Sequence, residues 1–365
     1  MEKWLTVGIP AYKAEDHICD CLASISIQEI VDEVRVIIAK DNPDDDYEFV
    51  KERFPNLDIT ILDCEKNTGP GLARQRCADA CTTEWITWID ADDVFFTPFS
   101  LEYLKGGIKQ DVVEVQGIFY QEITGHPQGV RTVPKNDLFH PWVFGRMYRM
   151  EFLKKMGIKF SELRAMEDGE FNWKIRMSID GSPLKINVLE APVYFWRTGS
   201  EHSITRIGID DDGIPQYNFD MCQWGATIAS INAIKFARKK NPFNGALIRF
   251  STEMMVGQYF TYVECLAKKP IFAEQNFFNA KRFYHECYKD VEPQISDDVL
   301  ENMYTVQRTG KAQDLIGIIP KITFWDFMKK VKEEEYGGEE EFQRIREKLP
   351  EDIIANDKKS GVAMY

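Results

Sequence analysis

Two absences narrow the reading of this sequence at once. No apolar run approaches the roughly 20 residues a helix needs to cross a bilayer. The opening Met1-Glu2-Lys3-Trp4-Leu5 carries no charged leader running into an apolar stretch and a cleavage site. The expectation is a cytoplasmic protein whose contact with any membrane is peripheral. Basic residues are outnumbered, 45 Lys and Arg against 59 Asp and Glu, for a net charge of −14. A surface that grips duplex phosphates normally has a basic excess, so a nucleic-acid partner is disfavoured. The eight cysteines lack the spacing of a disulfide framework or a zinc site. Cys77 and Cys81 lie one helical turn apart, as small core residues do, and Cys19 and Cys21 fall in another helical pattern, so reduced thiols are expected. No G-x-G-x-x-G follows a strand-like stretch, which argues against a dehydrogenase. Internal repeats and low-complexity segments are also missing. What is present is apolar: 44% hydrophobic and 13% aromatic residues in a chain of 365 promise a sizeable core and room for two domains.

The first part alternates strand and helix signals. Leu5 to Ile9 reads as a strand stopped by Pro10, and residues 14–27 carry helical apolar spacing. Val34 to Ala39 is continuous and β-branched, as a strand buried on both faces would be. Tyr47 to Phe54 reads as a helix, Ile59 to Leu62 as a strand, Gly71 to Cys81 as a helix and Trp85 to Ile89 as a strand. This rhythm predicts an α/β fold, a mostly parallel sheet flanked by helices, with ligands beyond the carboxyl ends of the strands. Asp41, Asn67 and Asp90 each stand just after a strand. Further on come a strand at 112–115, a helix near 149–156, another from Glu167, and an extended stretch from Leu184 to Trp196. The boundary is placed at 210: residues 1–210 form the α/β domain, and residues 211–365 a mainly helical C-terminal domain. Its glutamate runs around Gly337-Gly338 read as solvated helix faces.

Four segments carry chemistry. Asp90-Ala91-Asp92-Asp93 follows the buried strand Trp85 to Ile89. Two carboxylates separated by one residue can share a hard divalent ion, Mn2+ or Mg2+, which would neutralise a departing diphosphate. Alone, such a tetrad is more often a solvated turn; the strand before it and its neighbours change that. Asn67-Thr68-Gly69-Pro70-Gly71-Leu72-Ala73-Arg74 is a tight turn opening a helix, whose free N–H groups favour an anion. Arg74 either reaches donor phosphates or holds the acidic loop. Glu167-Asp168 starts an apolar-spaced helix and offers a carboxylate as general base, or merely matches the helix dipole. Finally, Trp196 to Arg206 supplies His202, two arginines and hydroxyls, with His202 a candidate third metal ligand.

In this order the motifs resemble glycosyltransferase family 2, of the GT-A fold, over roughly residues 4–206. Val7-Gly8-Ile9-Pro10-Ala11-Tyr12 is similar to the family's opening, Asn67 to Arg74 to its glycine loop, and Asp90 to Asp93 to its D-x-D motif. Trp142 to Phe160 with Glu167-Asp168 is similar to its acceptor-side segment, and Arg197 to Thr205 to the segment that closes on the diphosphate. The resemblance implies an inverting transfer from a nucleotide-sugar, with uridine as the base. The donor would lie against Pro10, Tyr12, Asp41, Asn67, Gly69, Arg74, Asp90, Ala91 and Arg197. The ion would sit on Asp92 and Asp90 with His202, and Asp168 would be the base, with Glu167 beside it. Lys40-Asp41-Asn42-Pro43 departs from the family's D-D-G-S and weakens the choice of nucleotide.

The acceptor expected is a glycan or cell-surface polymer, with protein or a modified nucleic acid as alternatives. The helical C-terminal part is a candidate for acceptor binding or self-association. A sugar nucleotidyltransferase would carry a Gly-rich, Arg-containing loop after the first strand, where this chain has Pro10-Ala11-Tyr12-Lys13. A nucleotide-sugar-binding protein without catalysis would not need Asp90, Asp92 and Asp168 together.

Overall fold

The computed structural model describes residues 3–122, 130–132, 142–163, 165–197, 206–209, 215–217 and some helical positions between 225 and 240. The chain divides into two compact units, residues 1–163 with 167–215, and residues 164–166 with 216–365. The expected C-terminal helical domain falls almost wholly outside the described residues.

In the first unit, strands β1 (Leu5–Ala11), β2 (Val34–Lys40), β3 (Asp58–Leu62) and β4 (Trp85–Trp88) alternate with helices α1 (Ile18–Ser26), α2 (Phe49–Arg53) and α3 (Pro70–Asp79). Then follow β5 (Val94–Phe95), α4 (Ser100–Gly106), β6 (Val112–Glu122), β7 (Val130–Thr132), β8 (Arg146–Arg149), α5 (Met150–Met156), α6 (Glu167–Ile179) and β9 (Lys185–Trp196). One sheet contains these nine strands in the order β3-β2-β1-β4-β8-β6-β9-β5, with β7 paired to β6. The first four strands are parallel; β8 is antiparallel to both neighbours, and β6 with β9 is parallel again. Leu5, Val7 and Ile9 of β1 and Val36, Ile37 and Ile38 of β2 are at most 1% exposed, as strands covered on both faces must be.

Pro10 does not stop β1, which runs on to Ala11. Pairing with β4 ends at Gly8 opposite Trp88, and Gly8 points its carbonyl to that side, accepting from the Ile89 N–H. Pro10, two residues on, faces the same side, where no ladder remains to miss its N–H. The sequence reading also omits α4, β5 and β8 and makes β6 too short. β8 matters most, because it inserts an antiparallel strand beside the one that ends at the acidic turn. Among the described residues no helix is long and apolar enough to cross a membrane.

Candidate functional site

The site lies at the carboxyl ends of β1, β2 and β4. Beyond β4 the chain turns sharply, with the Asp93 N–H donating to the Asp90 carbonyl at 3.0 Å. The anchor of this turn is Asp93, 1% exposed. Its carboxylate accepts from the Tyr194 hydroxyl at 2.5 Å and from the Arg197 N–H at 2.7 Å. The same Tyr194 oxygen accepts the Asp90 N–H at 3.2 Å. One phenol on β9 thereby fixes both ends of the acidic tetrad. Burial, then Asp92 and Asp90, push the Asp93 carboxyl well above its ordinary range, against the two hydrogen bonds that favour its charge. Neither Tyr194 nor the anchoring role of Asp93 was read from the sequence; an aromatic in a strand signals core, and only the tertiary pairing of β9 gives its hydroxyl a purpose.

Asp90 and Asp92 stay half-buried at the turn, with Ala91 buried between them. Arg74 takes one oxygen of Asp90 at 2.7 Å and one of Glu167 at 2.5 Å, and is itself only 7% exposed. Of the two roles weighed for Arg74, the geometry shows the internal one: it clamps the D-x-D turn to the carboxylate pair of α6. Burial opposes its charge, but Asp90, Glu167 and Asp168 outweigh that and raise its pKa. The clamp needs α3 close to α6. Gly71 permits this, since a Cβ there would stand 2.8 Å from both Glu167 Cγ and the Ser161 carbonyl. Gly69, at φ 88°, makes the turn into Pro70, the first residue of α3.

Behind the clamp, Phe171 of α6 stacks on Phe160 at 4.2 Å, and both pack edge-on to Trp88. This aromatic wall ties α6 to the end of β4. Burial and Asp168 push Glu167 up to about 8 despite Arg74. Burial also raises Asp168, to about 6, with Arg74 and the Gly169 N–H pulling the other way. Asp168 is the more open of the two. Adjacent carboxyls with separated affinities hold one proton between them near neutrality, leaving an ionised carboxylate.

Asp41 spends its carboxylate on the glycine loop, accepting from the Thr68 N–H at 2.8 Å, the Thr68 hydroxyl at 3.0 Å and the Gly69 N–H at 2.9 Å. It builds the loop that begins at Asn67. The loops after β1 and β2 are joined instead by Asp45, 4% exposed, which the sequence reading missed. Asp45 accepts from the Lys13 N–H at 2.7 Å and the Tyr47 hydroxyl at 2.9 Å. Lys13 sits at φ 48°, unusual for a side-chain-bearing residue, and its Nζ lies 5.4 Å above the ring of Tyr12, itself 41% exposed. Pro10 is half-buried at the same edge. Arg197 pairs with Asp20 at 2.9 Å on the surface. His202 lies outside the described residues, among which no cluster of three or more His, Cys, Asp or Glu is arranged to hold a metal. The described cysteines are free thiols.

The family model for glycosyl transferase family 2 matches residues 6–163. A processive diacylglycerol beta-glycosyltransferase of Mycoplasma pneumoniae is 25% identical over 146 residues, 38% of this chain and 42% of that protein. A teichoic acid poly(glycerol phosphate) polymerase of Staphylococcus epidermidis is 30% identical over 91 residues, 24% of this chain and 13% of that one. This chain therefore spans less than half the length of either relative. Residues 1–349 of S. aureus TarS, solved in complex with UDP-GlcNAc, superimpose with a TM-score of 0.62 at 17% identity over 90% of each chain. That likeness shows the fold, the GT-A arrangement of a sheet flanked by helices. Over residues 6–163 this chain is therefore similar to glycosyl transferase family 2.

Proposed function

We propose that this chain is an inverting glycosyltransferase that moves a sugar from a UDP-sugar onto a hydroxyl of a glycan or cell-surface polymer. The observation that carries it is the Arg74 clamp, which holds a D-x-D turn and a carboxylate pair with separated affinities in one site. Support for the donor comes from the UDP-GlcNAc complex of TarS, and for the acceptor from relatives named for glycolipid and teichoic acid synthesis.

The acceptor hydroxyl attacks the anomeric carbon as the bond to the nucleoside diphosphate breaks, and Asp168 takes the hydroxyl proton. General-base assistance of this kind contributes about 10²–10⁴-fold. Glu167 keeps its proton near neutrality and so spares Asp168 a second adjacent charge. Among the described residues the Arg197 guanidinium pairs with Asp20 at the surface, and such pairs contribute little, so a diphosphate can replace Asp20 as its partner. Tyr12, on the loop fixed by Asp45, offers its ring to the base. The residues present fit a divalent ion: Asp90 and Asp92 are hard oxygen ligands on a fixed turn, and diphosphate and water would complete the shell. Bound there, Mn2+ or Mg2+ would supply Lewis-acid stabilisation of the leaving diphosphate.

A screen of UDP-, GDP- and dTDP-sugars, followed by nucleotide release with Mn2+ and with excess chelator, tests the reading. Turnover of a UDP-sugar that stops on chelation and returns with metal is expected. Binding without turnover of any donor would leave a nucleotide-sugar-binding protein instead.

A further inference from the structure

Most of the chemistry above concerns the donor; the structure also offers a surface to the acceptor. Two of the largest side chains in the sequence, Trp142 and Trp196, stand side by side with ring centroids 5.5 Å apart and planes tilted by 54°. Both remain half-exposed, whereas Trp85 and Trp88 are buried completely. Each rests on Phe144: Trp142 is stacked on it at 5.9 Å, and Trp196 is tilted against it at 5.6 Å. Phe144 stacks in turn on Tyr194 at 4.6 Å. The pair is thus the partly exposed end of an aromatic column, rooted in the residue that anchors the acidic turn.

Its position is set from both halves of the site. Trp196 lies two residues beyond Tyr194, on the same face of β9, and the next N–H, of Arg197, holds Asp93. Trp142 has its carbonyl bonded by the Asn172 side-chain amide at 2.9 Å. Asn172 is one helical turn after Asp168 on α6, and is fixed by the Tyr148 hydroxyl at 2.9 Å. One ring is therefore placed by the turn that serves the leaving group, the other by the helix that carries the base.

We infer that Trp142 and Trp196 form a platform on which a pyranose ring of the acceptor stacks. This deepens the glycosyl-transfer reading and rests on it. A pyranose has a flat face of C–H groups, apolar and slightly positive, which suits the negative face of an indole. Its hydroxyls project from the ring edge, and one of them is thereby left free for the carboxylate of α6. A polyol without a ring has no such face, so the platform selects a sugar over glycerol phosphate as the group that receives the transfer.

The test uses the full chain and, as probes, methyl β-glucoside and methyl N-acetyl-β-glucosaminide, with glycerol 1-phosphate as the ring-less control. In 19F spectra of the 5-fluorotryptophan protein, assigned through Trp142→Phe and Trp196→Phe, the methyl glycosides should move the 142 and 196 resonances and glycerol 1-phosphate should not. Under turnover, Trp196→Leu should raise the acceptor KM about tenfold, the scale of one lost aromatic contact, while Trp196→Phe stays near wild type. Donor KM and slow donor hydrolysis should not change. Unmoved resonances, an equal response to glycerol 1-phosphate, or Leu and Phe variants that behave alike would overturn the platform. Moved resonances in a protein that consumes no nucleotide-sugar would uphold the platform and defeat the transfer reading. If a Leu variant fails to fold, the spectra of the parent protein decide.

Discussion

Tyr194 makes two bonds with one oxygen, and its removal is informative because only a hydroxyl is lost. Tyr194→Phe leaves the buried Asp93 carboxylate with the Arg197 N–H as its remaining donor among the hydrogen bonds described. Leaving a buried acceptor short of a donor costs about 1–3 kcal/mol, and a loss of that size is expected in urea unfolding. Turnover should fall too, since the Asp90 N–H loses its acceptor and the turn loosens. Asp168 gives a different signature. Asp168→Asn should lower the transfer rate by about 10²-fold or more while donor affinity and melting temperature barely move. Near-wild-type turnover in Asp168→Asn would transfer the role to Glu167. In the parent protein kcat/KM should rise with pH through a value near 6, because the base must be ionised. A profile flat from pH 5 to 8 would contradict it.

At the scale of elements, function depends on how closely α3 approaches α6. Arg74 on α3 bridges Asp90 and Glu167, so Arg74→Ala strands the half-buried Asp90 carboxylate and leaves a buried Glu167 oxygen without its donor. Breaking a buried ion pair from one side costs about 3–5 kcal/mol, and a loss in that range is expected from unfolding curves. Asp90→Asn in the Arg74→Ala background should recover part of it, which a double-mutant cycle measures directly. A role confined to gripping donor phosphate predicts no such recovery. Gly71→Ala tests the same contact without touching charge. Its methyl would meet the Ser161 carbonyl and Glu167 Cγ at 2.8 Å, so α3 and α6 must part. Overpacking of this kind typically costs about 1–3 kcal/mol, and turnover should drop with it.

For the molecule as a whole, the raised carboxyls make stability depend on pH in a definite direction. Glu167 rises from its ordinary 4.5 to about 8, and Asp168 from 3.8 to about 6. Between these limits the folded protein binds more protons than the unfolded chain, so stability falls as pH rises. The contribution is complete below about pH 4 and is lost as pH climbs through about 6 and then about 8. Melting temperatures should therefore decline from pH 5 to 8.5, and Glu167→Gln should flatten the upper part of that slope. A rising curve over the same range would show that Arg74 outweighs burial in setting the charge of Glu167.

The alternation of β-branched runs with helical spacing, and the carboxylates placed just after strands, were legible in the sequence. They express local periodicity and chain order, which act over a few residues. That is why β1 to β4, α3, α5, α6 and the acidic turn stand close to where the sequence puts them. The antiparallel strand β8, the service of Asp41 to the glycine loop, and the junction made by Asp45 were not legible. Neither was the inward turn of Arg74, which a sequence can only offer as one of two partners for a cation. Each depends on residues far apart in the chain, Arg74 with Glu167 at a separation of 93 and Tyr194 with Asp93 at 101. A hydroxyl or guanidinium carries no mark of its partner until the sheet has closed and burial has made an unpaired polar atom costly. The sequence by itself determined which residue types could do the chemistry; the tertiary structure decided which of them face the substrate and which hold the others in place.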